Sequence, residues 1–333
     1  MGEIKYSTLE DVKEAVRCAL ADLKEKGGLK RVYCVACGGS MSCFYPMVYF
    51  LKNEAKDVSC ELFTGNEFVL ATPKALDENC LVFAMSLAGG TPETVNAAKT
   101  AQEHGATVIT LSSLEEAPLN SCGDYHILYR IDTDYIIEES NQYVILAAAL
   151  EVLNQTEGYA HYDSAVEGLK LIPGICTDAL GAVAERADDW GERMKDEPVI
   201  YTMGSGPSQY VAYMECICMI MEMEWIHSNS INSGEYFHGP FEVTEDHVPF
   251  LVLESTGRTR YMDERAMKFL RQYSKKVELI DAEEFGIRKI DESCAEYFSP
   301  ILLWTLAIRY TEGLGKAKNH PLLQRRYMYK VEY

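Results

Sequence analysis

Small hydroxyl residues and glycines are concentrated in two short runs in the first half of the sequence. The runs are Cys37-Gly-Gly-Ser40 and Ser86-Leu-Ala-Gly-Gly-Thr91. Hydroxyls and free backbone N–H groups ahead of a helix can bind a phosphate without adding charge, and Gly39 would let the backbone approach such a ligand. For either run alone, an ordinary βα turn with a serine N-cap is the favoured interpretation. Together they favour a clamp for a phosphorylated sugar, and neither contains the Gly-Lys-Ser/Thr of a P-loop.

A candidate acid–base pair, Glu222 and His238, lies in the second half. Glu222 stands in an apolar segment, where partial burial would raise its pKa towards that of a base working at neutral pH. However, Glu215 lies seven residues earlier, and glutamates at that spacing are typical of the exposed face of a helix. Periodicity alone therefore favours a solvated Glu222, and His238 could equally be a helix-terminal histidine. No third ligand at metal spacing accompanies His227 and His238, so no metal site is predicted.

The composition narrows the classes of partner. The chain has 333 residues, with 31 Lys and Arg against 51 Asp and Glu, and its net charge of −20 would repel nucleic acid and anionic membranes. Its first residues lack the apolar stretch of a signal peptide, and its 11 cysteines suit free thiols in a reducing compartment. We therefore expect a cytoplasmic protein. Cys34-x-x-Cys37 ends a predicted strand and is interpreted as a pair of buried structural thiols.

Short apolar strands alternate with helices along the chain, which predicts parallel sheets covered on both faces. The strands of the first half are predicted over residues 31–37, 59–64, 80–86, 107–112 and 125–131. Those of the second half are predicted over residues 198–204, 248–255 and 276–281. Helices are predicted over residues 9–26, 91–103, 137–154, 211–226 and 297–310. The expected fold class is therefore α/β.

The two halves repeat one plan. Ser205 follows the first strand of the second half, as Ser40 follows the first strand of the first half. Ser255 corresponds to Ser86 in the same way, and the two pairs have nearly the same separation along the chain. This predicts a duplicated α/β domain, with domains 1–160 and 161–333 and a linker within residues 155–172. The second-half loops carry Pro207 and a charged arginine, so phosphate binding is assigned to the first half.

Three runs of residues together resemble the sugar isomerase (SIS) family: Cys37-Gly-Gly-Ser40, Ser86-x-x-Gly-x-Thr91 with Glu93-Thr94, and Ser233-Gly-Glu-Tyr-Phe-His-Gly-Pro240. The resemblance covers nearly the whole chain. It is similar to the paired isomerase domains of glucosamine-6-phosphate synthase, without the glutaminase half. A finer similarity to the fructosamine-6-phosphate deglycases rests on Tyr201-Thr202, Gly206-Pro207, Val248-Pro-Phe-Leu251 and Arg325-Arg-Tyr327 with Val331-Glu-Tyr333.

The resemblance implies a fold of two SIS domains, each a three-layer αβα, flavodoxin-like unit with a parallel sheet flanked by helices. In the family the catalytic base precedes the histidine of the His-Gly-Pro motif by sixteen residues, and that position is Glu222, with His238 as the acid. The phosphate-binding hydroxyls match Ser40, Ser86 and Thr91. Two departures stand out: Ala88 replaces a phosphate-contacting serine of the synthase, and Arg326 and Tyr327 stand about where the synthase has a catalytic lysine.

The implied activity is cleavage of a fructosamine 6-phosphate, such as fructoselysine 6-phosphate, to glucose 6-phosphate and a free amino acid. The resemblance implies no metal, no organic cofactor, and a homodimer in which His238 reaches the site of the neighbouring subunit. Two alternatives stay open: an aldose–ketose sugar-phosphate isomerase, and a non-catalytic sugar-phosphate-binding protein. The amine is not identified by the sequence. The candidates for reading its carboxylate are Arg258, Arg260, Arg325 and Arg326, with Tyr327 beside them.

Overall fold

The computed structural model describes residues 4–328 and 330–332. The chain forms two compact units that divide between Leu169 and Lys170, and each unit is built on one parallel sheet. The predicted α/β fold, with parallel sheets flanked by helices, is therefore confirmed. Within the described residues, no helix is both long and apolar enough to cross a membrane.

The first unit has a five-stranded parallel sheet in the order β2-β1-β3-β4-β5. Its strands are β1 (Arg31–Ala36), β2 (Ser59–Thr64), β3 (Cys80–Met85), β4 (Thr107–Ser112) and β5 (Tyr125–Leu128). Its helices are α1 (Leu9–Glu25), α2 (Gly38–Cys43), α3 (Tyr45–Glu54), α4 (Gly65–Leu70), α5 (Pro92–Glu103) and α6 (Asn141–Thr156). All five predicted strands are found, and two of them match residue for residue.

The central strands are buried along their whole length because helices cover both faces of the sheet. Every residue of β3 and β4 is buried. In the pairing of β1 with β3, Ala36 stands opposite Met85, so the two strands end level at one edge. The loops that follow them, which carry Ser40 and Ser86, therefore leave the sheet side by side.

The second unit repeats this strand order without a fifth strand, as β7-β6-β8-β9. Its strands are β6 (Val199–Gly204), β7 (His227–Asn232), β8 (Phe250–Glu254) and β9 (Val277–Asp281). Its helices are α8 (Gln209–Met214), α9 (Arg260–Tyr273) and α10 (Ser299–Ala317), with a π-helical segment, Glu215–Met223, directly after α8. β6 and β8 occupy the positions of β1 and β3, which supports the predicted equivalence of their serine-bearing loops.

The residues expected as a linker, 155–172, contain the division between the two units, and most of them are helical because α7 (Tyr162–Met194) runs through them. Two other sequence expectations were wrong in detail. The single helix expected over 211–226 is instead α8 followed by the π-helical segment. Strand β7 was not predicted, because its sequence is polar and it forms the edge of its sheet.

Among the described residues, no two cysteines form a disulfide bond. Cys34 is buried in β1, and burial raises the pKa of its thiol well above the ordinary value, so it stays protonated. Cys37 is only partly buried and is the N-cap of α2, so the expectation of two buried thiols holds for Cys34 alone. Neither thiol forms a disulfide.

Candidate active site

The loop between β3 and α5 brings two predicted phosphate-binding hydroxyls together. Ser86 is buried directly after β3, and its Oγ lies 2.9 Å from Oγ1 of Thr91. Thr91 is the N-cap of α5, but its hydroxyl makes no capping hydrogen bond. The first turn of this 12-residue helix therefore keeps N–H donors without a side-chain cap, and such donors attract anions.

The turn inside this loop depends on a glycine. Gly89 has a φ of +64°, and a Cβ at this position would lie 2.3 Å from the Cβ of Ala117. Its N–H donates to the carbonyl of Ser86 at 3.0 Å, and its carbonyl accepts from Leu119 at 2.9 Å. The backbone is thereby fixed so that Ser86 and Thr91 face each other across a tight turn.

The loop after β1 lies next to this turn. Gly38 has a φ of +56° and begins α2, whose N-cap Cys37 makes no side-chain cap. Oγ1 of Thr94, in the first turn of α5, lies 4.0 Å from Sγ of Cys37 and ties the two loops together. Ser40 and Gly39 are partly buried on α2, and no hydrogen bond to the described residues engages the Ser40 hydroxyl.

The equivalent loop of the second sheet has a different chemistry. Ser205 follows β6, is fully buried, and donates from its Oγ to the Asp263 carboxylate at 2.7 Å. Ser233 donates to the other oxygen of the same carboxylate at 2.5 Å. Burial raises the pKa of Asp263 to about 7, although both hydroxyls and Arg260 oppose the increase. The Ser205 hydroxyl is thus already committed to an acidic side chain.

Carboxylates also occupy the end of β8. Glu254 is buried there, 2.6 Å from Arg260, which also forms two hydrogen bonds with Asp281 at 2.7 and 2.8 Å. Burial raises the pKa of Glu254 to about 7 against the opposing charge of Arg260. The hydroxyl of Ser255 is buried without a hydrogen-bond partner among the described residues. This edge of the second sheet is therefore acidic where the corresponding edge of the first carries hydroxyls.

Glu222 lies on the π-helical segment. The N–H of Glu224 donates to the carbonyl of Met219 at 3.0 Å, an i to i−5 bond that characterises this helix type. The segment carries one extra residue per hydrogen-bonded turn, and such turns are frequent at functional sites. The Glu222 side chain is 27% exposed, so its carboxylate is partly withdrawn from water and still accessible.

The same helix type explains why Glu215 and Glu222 do not lie on one exposed helix face, as their spacing predicts. Seven residues make nearly two turns of an α-helix, but a helix with wider turns rotates the two side chains apart. Glu215 is fully buried, and its Oε1 accepts a hydrogen bond from the Thr311 hydroxyl of α10 at 2.5 Å. Burial raises the pKa of Glu215 to about 8, so it is protonated at neutral pH. Glu222 is therefore not part of a solvated stripe.

A cation opposes the effect of burial on the pKa of Glu222. Oε1 of Glu222 lies 2.9 Å from Nη2 of Arg325, whose side chain is only 13% exposed. Desolvation raises the pKa of Glu222 above its ordinary value, and the charge and hydrogen bond of Arg325 lower it. The site thus contains a half-buried carboxylate with a paired guanidinium, which sequence analysis had assigned to substrate recognition instead.

Arg325 belongs to residues 318–328, here called the C-terminal segment, which is attached to the end of the π-helical segment at several points. Nζ of Lys318 lies 3.4 Å from Oε2 of the buried Glu224. The ring of His320 packs edge-on against Trp225, with the ring centroids 4.4 Å apart. The guanidinium of Arg326 lies 4.1 Å from the centre of the same indole. No sequence pattern pointed to these contacts.

Trp225 holds an uncommon backbone conformation at this attachment. Its φ is 58°, in the left-handed region that residues other than glycine rarely adopt. It reverses the chain between the π-helical segment and β7, while its ring contacts both the imidazole of His320 and the guanidinium of Arg326. Such strain persists only where the surroundings enforce it and is frequent at active sites.

His238 lies in a short 3₁₀ turn, Tyr236–His238, and is exposed. Its imidazole makes no hydrogen bond or ion pair with the described residues. Gly239 follows with a φ of 136°, which redirects the chain into Pro240. Tyr236 anchors the turn in the core, where Phe237 and Phe241 pack around it. The histidine is therefore presented outward from a rigid aromatic base.

The remaining candidates for binding the amino-acid end of a substrate differ in how far their polar atoms are already paired within the protein. Arg258 pairs with Glu296 at 2.6 Å and donates to the hydroxyl of Tyr297 at 3.0 Å. Arg260 is enclosed by its acidic partners. Arg326 and Tyr327 are exposed on the C-terminal segment, and Tyr327 is 68% exposed. Of these candidates, Arg326 and Tyr327 leave their polar atoms most open to a ligand.

The structure supplies two sets of groups that suit a phosphorylated sugar: hydroxyls and helix N–H donors in one unit, and a half-buried carboxylate in the other. Hydroxyls at an uncapped helix start can bind a phosphate. A carboxylate with a raised pKa can accept a carbon-bound proton at neutral pH. Among the residues that the structure describes, no group of three His, Cys, Asp or Glu side chains is placed to hold a metal ion.

Comparison with known proteins agrees with these features. The SIS domain model matches residues 29–153. Over 322 residues the chain is 38% identical to fructosamine deglycase FrlB of Bacillus subtilis (strain 168), covering 97% of this chain and 98% of the relative. It is 28% identical to fructoselysine 6-phosphate deglycase of Escherichia coli (strain K12), covering 93% and 88%.

A solved structure gives the same result in three dimensions. A protein of Salmonella typhimurium LT2, provisionally named a phosphosugar isomerase, superposes with a TM-score of 0.92 and 43% identity, covering 97% of this chain and 99% of that one. Both comparisons extend over almost the full length of the matched proteins, so they do not depend on a shared fragment. The chain therefore belongs to the SIS-domain family that includes fructosamine deglycase FrlB.

Proposed function

We propose that this protein is a fructosamine-6-phosphate deglycase built from two SIS domains. The observation that carries the proposal is Glu222, a half-buried carboxylate on a π-helical turn whose raised pKa suits a general base. The 38% identity to fructosamine deglycase FrlB supports the choice of substrate class. The shared strand order of the two sheets supports a second SIS domain beyond residues 29–153.

The proposed reaction begins with the open-chain substrate, which has a ketone at C2 and a secondary amine on C1. Glu222 removes a proton from C1 while His238 donates one to the C2 oxygen, giving an enaminol. Glu222 returns its proton to C2, which leaves a protonated C1 imine. Water adds to C1 of that imine and gives a proton to His238, which forms a carbinolamine. His238 then protonates the nitrogen as the C1–N bond breaks, Glu222 accepts the proton of the C1 hydroxyl, and C1 becomes the aldehyde of glucose 6-phosphate.

The phosphate is proposed to bind to Ser40, Ser86 and Thr91, with Gly39 allowing close approach of the backbone. The hydroxyl pair in the β3–α5 loop and the uncapped start of α5 support this role. Arg326 and Tyr327 are proposed to contact the amino-acid end, because both are exposed beside the segment that carries Glu222. Arg258 is a weaker candidate, since its guanidinium is already paired with Glu296.

The proposal includes a cytoplasmic homodimer in which His238 acts on the site of the neighbouring subunit. The exposure of the imidazole, with no partner among the described residues of its own chain, supports this arrangement. The chemistry needs no metal or organic cofactor, because positioned acids and bases suffice for it. Activity that is lost on dialysis against EDTA and restored by a divalent ion would contradict this part of the proposal.

A second candidate is an aldose–ketose isomerase, which is favoured by the name given to the Salmonella typhimurium LT2 protein. One experiment separates the two functions. The purified protein is incubated with fructoselysine 6-phosphate, and glucose 6-phosphate and free lysine are measured together. A deglycase releases both in equal amounts. An isomerase leaves this substrate intact and interconverts fructose 6-phosphate with glucose 6-phosphate.

A further inference from the structure

Arg325 is placed to act on the candidate base rather than on a ligand. Its Nη2 lies 2.9 Å from Oε1 of Glu222, and its Nη1 donates to the backbone carbonyls of Leu322 and Gln324 within its own segment. Its Nε is buried without a hydrogen-bond partner among the described residues. The position of the guanidinium is thus set by Glu222 on one side and by two neighbouring carbonyls on the other.

The remaining surroundings of Glu222 contribute little charge. The π-helical segment packs against α8, α10, β6 and β7, and Arg325 alone among the described charged groups acts on the Glu222 carboxylate. The other titratable neighbour is the Cys218 thiol, whose pKa is raised by burial to about 12, so it stays neutral. The protonation of Glu222 is therefore set by two opposed effects: burial, which favours the acid, and Arg325, which favours the carboxylate.

The segment that carries Arg325 is anchored independently of this ion pair. Lys318 pairs with Glu224, and His320 and Arg326 both pack against the Trp225 ring. These contacts fix the segment on the residues directly after Glu222 in the chain. A side chain held in this way can aim a neighbouring carboxylate, since the long arginine stem is constrained at both ends.

We propose that Arg325 is a positioning residue that keeps Glu222 ionised and correctly oriented, so that the C-terminal segment determines whether the base is competent. This inference rests on the proposed function of Glu222 as a base. It assigns Arg325 to the base and not to the amino-acid end of the substrate. A guanidinium suits the task because it remains charged throughout the range in which carboxyl groups titrate, and its planar fork matches a carboxylate.

The test measures Glu222 directly. Protein labelled with ¹³C at the glutamate side-chain carboxyl is titrated by NMR, and the Glu222 resonance is identified by its loss in Glu222→Gln. In Arg325→Gln the pKa of Glu222 should increase by about one to three pH units, the usual effect of an opposite charge at this distance. An unchanged pKa would overturn the proposal. This readout does not require catalysis, so it stays informative even if the protein has no deglycase activity.

The rate profile gives the second readout. If Glu222 must be ionised, kcat/KM for amine release falls below its pKa, so the acidic limb of the Arg325→Gln profile should move to higher pH by the same amount. Arg325→Lys retains a charge, so the acidic limb of its profile should lie between those of Arg325→Gln and the wild type. A profile for Arg325→Gln that is lowered equally at every pH would contradict the electrostatic role.

A matched control and a second variant complete the design. Arg309→Gln breaks an ion pair of similar burial, between Arg309 and Asp188 at 2.6 Å, and should leave the pKa of Glu222 unchanged. Arg325→Met retains the aliphatic stem and replaces Arg325→Gln if the latter does not fold. Loss of folding in both variants would overturn the proposal, because Arg325 would then be a structural residue of its segment.

Discussion

The hydroxyl of Ser205 lies 2.7 Å from a carboxylate oxygen of the buried Asp263. Its counterpart in the first unit, Ser40, has no such partner among the described residues. A hydroxyl that donates to a carboxyl group in the core is a poor ligand for an anion, because its only proton is already engaged. The loop after β1 is therefore better suited to an anion than the loop after β6.

The first prediction concerns that difference. Ser86→Ala and Thr91→Ala should each raise KM about ten- to hundredfold, since a hydrogen bond to a charged group contributes about 1.5–3 kcal/mol. The increase in KM should be smaller for a substrate without the phosphate. The loss of binding free energy in the double variant should be smaller than the sum of the two single losses, because the two hydroxyls are hydrogen-bonded to each other.

Ser205→Ala serves as the comparison for this prediction. It should leave the dependence on phosphate unchanged and lower the free energy of unfolding, because Asp263 loses a buried donor. Steady-state kinetics with phosphorylated and unphosphorylated substrates measure the first effect, and denaturant unfolding measures the second. A complex with glucose 6-phosphate bound against Ser205 or Ser255 would reverse the roles assigned to the two units.

Replacing the candidate base should abolish most turnover. Glu222→Gln retains the shape of the side chain and removes the proton acceptor, so kcat should fall by roughly 10²–10⁴-fold. Circular dichroism and thermal unfolding should show that the variant folds. Near wild-type kcat in folded Glu222→Gln would exclude this residue as the base. Glu224→Gln is not an equivalent control, because that buried carboxylate pairs with Lys318.

The assignment of His238 predicts complementation between subunits. His238→Asn should lower kcat with little change in KM, since the imidazole acts on charge that develops during the reaction. If the histidine serves the neighbouring site, mixing inactive Glu222→Gln and His238→Asn proteins should produce heterodimers with one intact site. Activity should appear after subunit exchange is verified by mass. Its absence would indicate that each site is completed within one chain.

Stability should depend on pH through Glu215. Burial raises the pKa of Glu215 from 4.5 to about 8, so the folded state holds a proton that the unfolded state releases. The associated stability is fully present below about pH 4.5 and is lost as the pH rises towards 8. Glu215→Gln cannot lose this proton. The variant should therefore gain stability relative to the wild type between pH 5 and pH 9, by a few kcal/mol.

This prediction is checked by denaturant unfolding at several pH values. The difference in free energy of unfolding between Glu215→Gln and the wild type should increase with pH. Glu116→Gln, at an exposed position, should follow the wild type throughout. Parallel stability curves for Glu215→Gln and the wild type would show that the buried carboxyl does not titrate as stated.

Most of the sheet structure could be predicted, because a strand buried on both faces leaves a continuous apolar run such as Cys80–Met85. The edge strand His227–Asn232 has no such run, since solvent contacts replace packing along it. The division between the units falls inside the expected linker, residues 155–172, but the long helix α7 that runs through it was not predicted. The local sequence predicts a helix or strand only where interactions within that stretch determine its conformation.

The candidate site was predictable in parts. The hydroxyl loops lie beside strand ends, where open parallel sheets bind ligands, so their position followed from the strand pattern. The burial of Glu215 did not follow, because the period of an α-helix does not hold over a π-helical turn. The pairing of Glu222 with Arg325 joins residues about a hundred positions apart, and no local pattern encodes such a contact.

The π-helical turn determines the surroundings of two glutamates independently of their identity. If Glu215–Met223 formed ordinary α-helical turns, Glu215 and Glu222, seven residues apart, would share one face. On the wider turns Glu215 faces the core, and Glu222 stays accessible beside Arg325. Backbone geometry thus makes one side chain a buried acid and the other an ion-paired carboxylate. A substitution that returned this segment to an α-helix would change the chemistry of both residues without replacing either.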